Sequence, residues 1–215
     1  CLVGSEMCIR DSINGMQLQG TLGELFISSH GVALDPETAI VNKVLLKDTD
    51  LSLCLNDTTA ADTAKTDTTY WKIILQNIDL QNVSFALQMP LDSLALSTSL
   101  AKASLRNGLI DLHKSAYSLQ SFKIENGQVN YDSGAPSPLP SDSIALRGLD
   151  PSHIALTGIG VQLDSLHYEG RDMKAIINRF VLKERSGLEI QSTQGRLLSN
   201  KQSLRILSLI HISEP

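Results

Sequence analysis

The sequence predicts an all-β protein, a long antiparallel meander that curls into an open, taco-like trough. Three observations predict it. Apolar residues alternate with polar ones along most of the chain, a short Asn-Gly motif repeats, and segments with the spacing of an amphipathic helix are hard to find. The chain has 215 residues, of which 42% are hydrophobic, so a sizeable apolar surface can form.

The composition excludes several classes of function. The formal net charge is -5, which argues against a nucleic-acid partner, because phosphate binding needs concentrated positive charge. No apolar run approaches the roughly 18 residues of a membrane-spanning helix. Three cysteines are too few for a disulfide scaffold. Nothing in the composition indicates catalysis.

The two ends of the chain are predicted to be foreign to the protein. Residues 1–11 back-translate to a transposase-based sequencing adapter read in frame, and residues 207–215 back-translate to its reverse complement. Such segments are set aside before the fold is considered. We therefore expect 1–12 and 207–215 to be adapter-derived, and 13–206 to be an internal fragment of a repetitive β-sheet trough domain.

Period-two alternation marks the strands of this fragment. Trp71, Ile73 and Leu75 share one face, and the pairs Ile78–Leu80 and Val83–Phe85 follow.

The same alternation continues further along the chain. It covers Leu94–Leu100 and Ile159–Leu163, and it resumes at Leu166–Tyr168 after a break in phase at Ser165. The segment Lys174–Val181 suits a short helix or a strand about equally well.

An Asn-Gly motif repeats with an offset of 19 residues. The segments Leu105–Leu112 and Ile124–Tyr131 match each other around Asn107–Gly108 and Asn126–Gly127. Asn-Gly prefers positive φ at both positions, as a type I′ hairpin turn requires. The sequence therefore predicts two tight hairpins, centred on the two dipeptides.

These hairpins would give the sheet one apolar face. Such a face must be covered, so the sheet either closes into a β-sandwich or solenoid, or stays open as a groove that something else fills. The apolar pairs across the predicted hairpins are Leu105 with Ile110, Ile124 with Val129, and Phe122 with Tyr131.

Polar and proline-containing segments separate the strands. Asn56–Thr69 and Ser133–Ser143 are predicted loops, and Asp35–Pro36, Glu169–Gly170 and Ser186–Gly187 are predicted turns.

Side chains that carry chemistry are scattered. His30, His113, His153 and His167 lie singly on predicted turns or polar faces, and no two have metal-ligand spacing on one strand. Cys54 is predicted to be a buried thiol with no base nearby. We therefore expect no catalytic residue, no metal site, no cofactor and no enzymatic activity.

Two segments carry a resemblance to a known family. Asp150–Gly170 (DPSHIALTGIGVQLDSLHYEG) and Phe180–Ile190 (FVLKERSGLEI), together with the Asn-Gly repeat, resemble the periplasmic repeats of AsmA/TamB-type translocation and assembly proteins. They look most like the forms found in Bacteroidetes. The likeness covers most of residues 70–196.

The resemblance implies a segment of a periplasmic protein anchored in the inner membrane. Its apolar β-groove would carry phospholipids between the inner and outer membranes, and the protein would also aid outer-membrane protein assembly. The implied partners are phospholipid acyl chains and an outer-membrane assembly barrel protein, with membrane contact through parts outside this fragment. The predicted groove lining is Leu94, Leu96, Leu105, Ile110, Phe122, Ile124, Val129, Tyr131, Val161 and Leu163.

Two other interpretations stay open at this point. The chain could be a structural or adhesive β-solenoid or β-sandwich of a cell-surface protein, its apolar face sealed by its own second sheet. It could also be a fragment of a carbohydrate-active enzyme, which would need paired carboxylates facing one cleft. No convincing pair is found in the sequence.

Overall fold

A computed structural model describes most of the chain, and almost all of the described part is β-strand. The described residues are 7–13, 16–56, 70–134, 150–170, 172–200 and 203–213. Among them, the only helical element is a short 3₁₀ turn, Pro90–Asp92. The predicted all-β class is confirmed.

Eleven strands of the described chain form one sheet. The strands follow the order β1-β2-β4-β5-β6-β7-β8-β9-β10-β11, and β3 pairs with β4 off this path. Because the first and last strands do not pair with each other, the sheet is open, as predicted, and the closed sandwich or solenoid is not adopted. The strands are β1 (Met7–Ile13), β2 (Met16–Leu22), β3 (Glu24–Leu34), β4 (Glu37–Leu55), β5 (Lys72–Met89), β6 (Leu94–Asp111), β7 (Ala116–Asp132), β8 (His153–Glu169), β9 (Asp172–Glu184), β10 (Glu189–Ser199) and β11 (Leu204–Ser213).

Strands β1 and β11 include much of the segments predicted to be adapter-derived. Any chain with extended backbone can pair with a free sheet edge. Their pairing with β2 and β10 therefore leaves the origin of 1–12 and 207–215 a prediction.

Strands β2 and β3 follow each other along the same side of β4 and are separated only by Gly23. Both strands pair with β4, from Met16 opposite Leu55 to Leu34 opposite Glu37, and the register is the same on either side of an irregularity at Ser28–Gly31. A Cβ atom on Gly23 would lie 2.7 Å from the backbone oxygen of Asp48, so the close approach requires glycine.

The pairing of β4 with β5 is parallel, whereas the other strand pairs are antiparallel. Thr38 faces Lys72 and Cys54 faces Gln88, so β4 and β5 run in the same direction. The predicted meander is thus interrupted once. A parallel pair needs a crossover of a dozen or more residues, and the polar segment 56–69 has that length. Residues 57–69 of this segment lie outside the described chain, as do residues 135–143 of the second predicted loop.

The two predicted Asn-Gly hairpins do not form. Strand β6 continues without interruption through Asn107–Gly108, and strand β7 does so through Asn126–Gly127. The turn that joins the two strands lies at 112–115. The asparagines nevertheless have the positive φ that their sequence predicts, 50° at Asn107 and 54° at Asn126. This left-handed preference therefore acts inside a strand instead of at a turn.

The residue pairs predicted from those hairpins are accordingly wrong. Ile124 faces Ala103 and Val161, and not Val129. In the same way, Leu105 faces Ile78 and Phe122, and not Ile110. Neighbouring strands still match apolar residues with apolar residues, so the predicted single apolar face survives the change of partners.

Positive-φ residues line up across the sheet in a first bend row. Asp48 of β4 and Asn82 of β5 lie at the same level, with φ of 48° and 52°. The Asn82 side-chain amide donates to Asp48 Oδ1 at 2.8 Å. Asn126 of β7 lies at this level too, with Ala101 of β6 between it and Asn82.

A second bend row crosses the sheet at another level. It contains Asn107 of β6 and Ser165 of β8, whose φ values are 50° and 80°. Gln120 of β7 lies between them, and its side-chain oxygen accepts a hydrogen bond from the Asn107 amide. The phase break seen in the sequence at Ser165 is therefore a real feature of the strand.

The two rows curl the sheet into its trough. A residue with left-handed backbone in a strand bends the strand and reverses the side on which the following side chains lie. Two bend rows divide the long strands into two walls and a floor. Successive apolar positions therefore lie two apart within a section and three apart across a bend, as between Phe122, Ile124 and Gly127 in β7.

Candidate functional site

The candidate site is the apolar concave surface of the trough, which we call the inner face. The strand register aligns its residues in seven rows that cross β4 to β8. No position of the inner face in these five strands has a charged side chain. In β5 the seven rows pass through Ile73, Leu75, Ile78, Leu80, Val83, Phe85 and Leu87.

All ten predicted lining residues lie on the inner face, and all ten are half-buried. Leu105, Phe122 and Leu163 form part of one row. The remaining contacts of the set also follow the register: Leu96 faces Tyr131, Ile124 faces Val161, Ile110 faces Tyr117, Val129 faces Leu156, and Leu94 faces Met89 at the end of β5.

Sequence reasoning missed the part of the inner face that lies on other strands. Leu46 of β4, Leu80 of β5 and Phe180 of β9 belong to the row of Ile124 and Val161. The alternation already indicated Leu80 as part of a strand, but without the pairing partners it could not be joined to the row of Ile124. In β9 the spacing from Ile177 to Phe180 is three, which a search for apolar residues strictly two apart does not follow. A search that allowed both spacings would have found Phe180.

No second layer of described residues seals the inner face. Contacts between the described strands are made almost entirely by neighbours in the sheet. Within the described ranges, the buried apolar residues are Ala103, Ile159 and Ala175, and no large side chain is fully buried. Leucine, phenylalanine and tyrosine side chains of the inner face therefore stay partly open to the trough.

Small residues let the sheet bend tightly at its floor. Gly127 lies next to the first bend row, and a Cβ atom there would be 3.2 Å from Ile124 Cγ2 and 3.3 Å from Ile159 Cβ. Ala103, in the adjacent strand, is only 7% exposed. Packing is therefore closest on either side of the first bend row, where Ala103 and Ile159 are buried.

In β9, the row of Val129 and Leu156 reaches Glu184, the last residue of the strand. Glu184 is 6% exposed. Burial alone would raise the pKa of this carboxyl, but hydrogen bonds from the side chain and backbone of Ser186 hold the pKa below its usual value. One of them, from the Ser186 N–H to Glu184 Oε2, measures 2.6 Å. The ionised carboxylate thus fixes the turn between β9 and β10.

Glu184 should make the stability of the fold depend on pH in acid. Its pKa is lower in the folded chain than in the unfolded one, so its contribution is present at neutral pH. That contribution is lost as pH falls from about 4.3, the ordinary glutamate value, through the folded pKa. Urea unfolding between pH 7 and pH 3 tests this. The difference in free energy of unfolding between wild type and Glu184→Gln should become smaller as pH falls. A difference that does not change with pH would contradict the prediction.

The convex outer face carries the charges. A depression of about 240 Å³ there is lined by Asp79, Lys102, Arg106, Lys123 and Glu125. Arg106 forms an ion pair with Asp79, and Lys123 forms one with Glu125. The hydrogen bond and charge of Lys123 lower the pKa of Glu125. Because opposite charges neutralise each other across it, this surface is a solvated polar face and not a binding site of one sign.

Among the residues with described side chains, the histidines and Cys54 do not assemble a reactive centre. His153 Nδ1 is 3.0 Å from Asp150 Oδ2, and its Nε2 is 3.5 Å from Asp132 Oδ1. No group of three or more His, Cys, Asp or Glu suited to a metal ion occurs among the residues with described positions. Cys54 is half-buried and faces Gln17 and Gln88, so the prediction of a buried thiol is wrong.

Comparison with known proteins gives no further assignment. No protein-family model matches the chain, and no curated protein sequence matches it. In the part of the chain that the structure describes, no helix has the length and hydrophobicity needed to cross a bilayer.

Proposed function

We propose that this chain is a segment of an AsmA/TamB-type periplasmic protein, and that its trough carries phospholipids between the inner and outer membranes. The observation that carries the proposal is the uncharged inner face of β4 to β8, which none of the described strands covers. A large contiguous apolar surface open to solvent is typical of a binding site.

Acyl chains are the occupants that this surface fits best. Each methylene removed from water contributes roughly 0.8 kcal/mol, so about ten buried methylenes gain on the order of 8 kcal/mol before the entropy of ordering the chain is subtracted. The inner face of β4 to β8 has no charge, so a bound chain meets no group that would select one position. Such a surface favours movement of the acyl chain along the trough over tight binding at one position.

The direction of the rows supports conduction. The rows run across the strands and therefore along the trough, and each added strand extends them at the same level. Many residues share the contact with the lipid, and none dominates it. The periplasmic location, the inner-membrane anchor and an outer-membrane assembly barrel as partner belong to the proposal and come from the family resemblance.

Photocrosslinking tests the proposal. A photoreactive amino acid is placed at Phe122 or Val129 on the inner face, and at Lys123 or Asn130, the next residues along β7, on the outer face. The chain is expressed in the periplasm of a Gram-negative cell and irradiated. The inner positions should capture phospholipid several-fold more than the outer ones. If the two faces capture equally, or if the inner positions capture none, the trough does not carry lipid.

A further inference from the structure

The aromatic residues are sorted by type along the strands. The chain has four phenylalanines, four tyrosines and one tryptophan. Three of the phenylalanines, Phe85, Phe122 and Phe180, lie in inner-face rows away from the strand ends, whereas Phe26 of β3 faces Leu45 and is 43% exposed. All the tyrosines and the tryptophan lie at or next to strand ends. These are Tyr70 and Trp71 before β5, Tyr117 in β7, Tyr168 in β8, and Tyr131 at the other end of β7.

We call the edge of the trough with Tyr70, Trp71, Tyr117 and Tyr168 the tyrosine rim. Tyr117 faces Tyr168 across β7 and β8. Their ring centroids are 5.8 Å apart, with an angle of 34° between the planes. Nearby, the Tyr70 ring lies 5.0 Å from that of His113. Tyr117 is 40% exposed, so the pair lies at the boundary between the trough and water.

An unbroken apolar wall leads down from this pair of tyrosines. The next inner-face pair on the same two strands is Leu119 with Leu166, and the pair after it, across the second bend row and on the floor, is Phe122 with Leu163. A ligand that lies against this wall therefore meets polar atoms only at the rim.

We infer that the tyrosine rim holds the phosphate and ester end of a phospholipid whose acyl chains lie against the wall below it. The inference rests on the proposed function. A tyrosine has an apolar ring and a polar tip, so it suits the boundary between hydrocarbon and water. Its hydroxyl donates to an ester or phosphate oxygen. Neither Tyr117 nor Tyr168 uses its hydroxyl in a hydrogen bond with another described residue.

The opposite rim lacks a pair of facing rings. Its one tyrosine, Tyr131, has no partner ring among the described residues. Carboxylates lie at both rims: Asp132 and Asp150 face the two ring nitrogens of His153 here, and Glu169 faces Asp172 beside Tyr168 at the tyrosine rim. Arg185 is the guanidinium at this rim, and it lines a depression of about 320 Å³ on the outer side together with Asp132 and His153. A headgroup bound there would leave the inner-face side of this rim unused.

Two photoactivatable phospholipids test the assignment on the full chain. One is a phosphatidylglycerol with a diazirine in its headgroup, and the other carries the diazirine at the end of an acyl chain. The headgroup probe should label peptides around Tyr117 and Tyr168 several-fold more than the peptide around Tyr131, while the acyl probe should label the wall. Equal labelling of the two rims, or a preference for Tyr131 and Arg185, would overturn the inference.

Matched variants separate the hydroxyls from the rings. The double variant Tyr117→Phe/Tyr168→Phe keeps both rings and should bind the phospholipid roughly three- to tenfold more weakly. Ser118→Ala, which removes a hydroxyl from the outer face next to Tyr117, should change binding less than twofold. Neither variant should alter the binding of an alkane of equal chain length, which has no headgroup. If the acyl probe is not captured at all, the proposed function fails and this inference fails with it; if it is captured and the double variant binds normally, only the inference fails.

Discussion

Val129→Glu should remove most phospholipid capture from the trough while leaving the chain folded. Val129 lies on the inner face of β7, half-buried, between Thr98 and Leu156. A carboxylate at this position would have to lose its water whenever an acyl chain covered it, at a cost of several kcal/mol. We therefore expect at least a tenfold loss of bound lipid. In the empty trough the same carboxylate stays hydrated, so folding changes little.

The neighbouring residue provides the control. Gln128→Glu adds the same charge one residue away, but Gln128 is exposed on the outer face, where it faces Ser99. Lipid that co-purifies with each variant is measured by mass spectrometry, and folding is measured by circular dichroism and urea unfolding. Val129→Thr, which keeps the shape without the charge, should retain lipid. Equal losses in Val129→Glu and Gln128→Glu would contradict a one-sided trough.

The inner face was predictable even though the strand pairing was not. In a hairpin with an Asn-Gly turn, the residue two before the asparagine pairs with the residue three after it. The two residues therefore lie on the same face of the hairpin. They lie on one face in a bent strand as well, because the bend reverses the alternation. Ile124 and Val129 therefore share the inner face around Asn126 in either structure, as do Leu105 and Ile110 around Asn107.

Pairing partners could not be predicted because they depend on distant parts of the chain. An asparagine with positive φ is a local property, and it occurs at turns and inside strands alike. Whether Asn126 ends a strand or bends it depends on the neighbouring strands. Strands β5 and β6 continue past the level of Asn126, at Asn82 and Ala101, so β7 can pair on both sides of the asparagine. The parallel pairing of β4 with β5 could not be predicted either. The alternation of apolar and polar residues is the same whichever way a strand runs, so it does not distinguish parallel from antiparallel pairing.

Asn126→Val should destabilise the fold by about 1–3 kcal/mol, because valine is strongly disfavoured at positive φ. Asn126 has φ of 54°, and Gly127 beside it packs into the floor. Asn126→Gly should be close to neutral, since glycine adopts this conformation readily. Asn130→Val is the matched control, because Asn130 is in the same strand, is exposed and does not have positive φ. This variant should lower the free energy of unfolding by no more than about 0.5 kcal/mol. Urea unfolding measures all three, and similar costs for the two valine variants would disprove the bend.

The same substitution links the bend to the lipid. If valine forces β7 to continue without reversing its alternation, Val129 and Tyr131 move from the inner face to the outer face relative to Phe122 and Ile124. Lipid capture by Asn126→Val should then fall even at temperatures where the variant is fully folded, whereas Asn126→Gly should capture normally. A folded Asn126→Val that keeps its lipid would mean that the apolar rows do not depend on the asparagine, and that the curvature of the trough comes from the rest of the row.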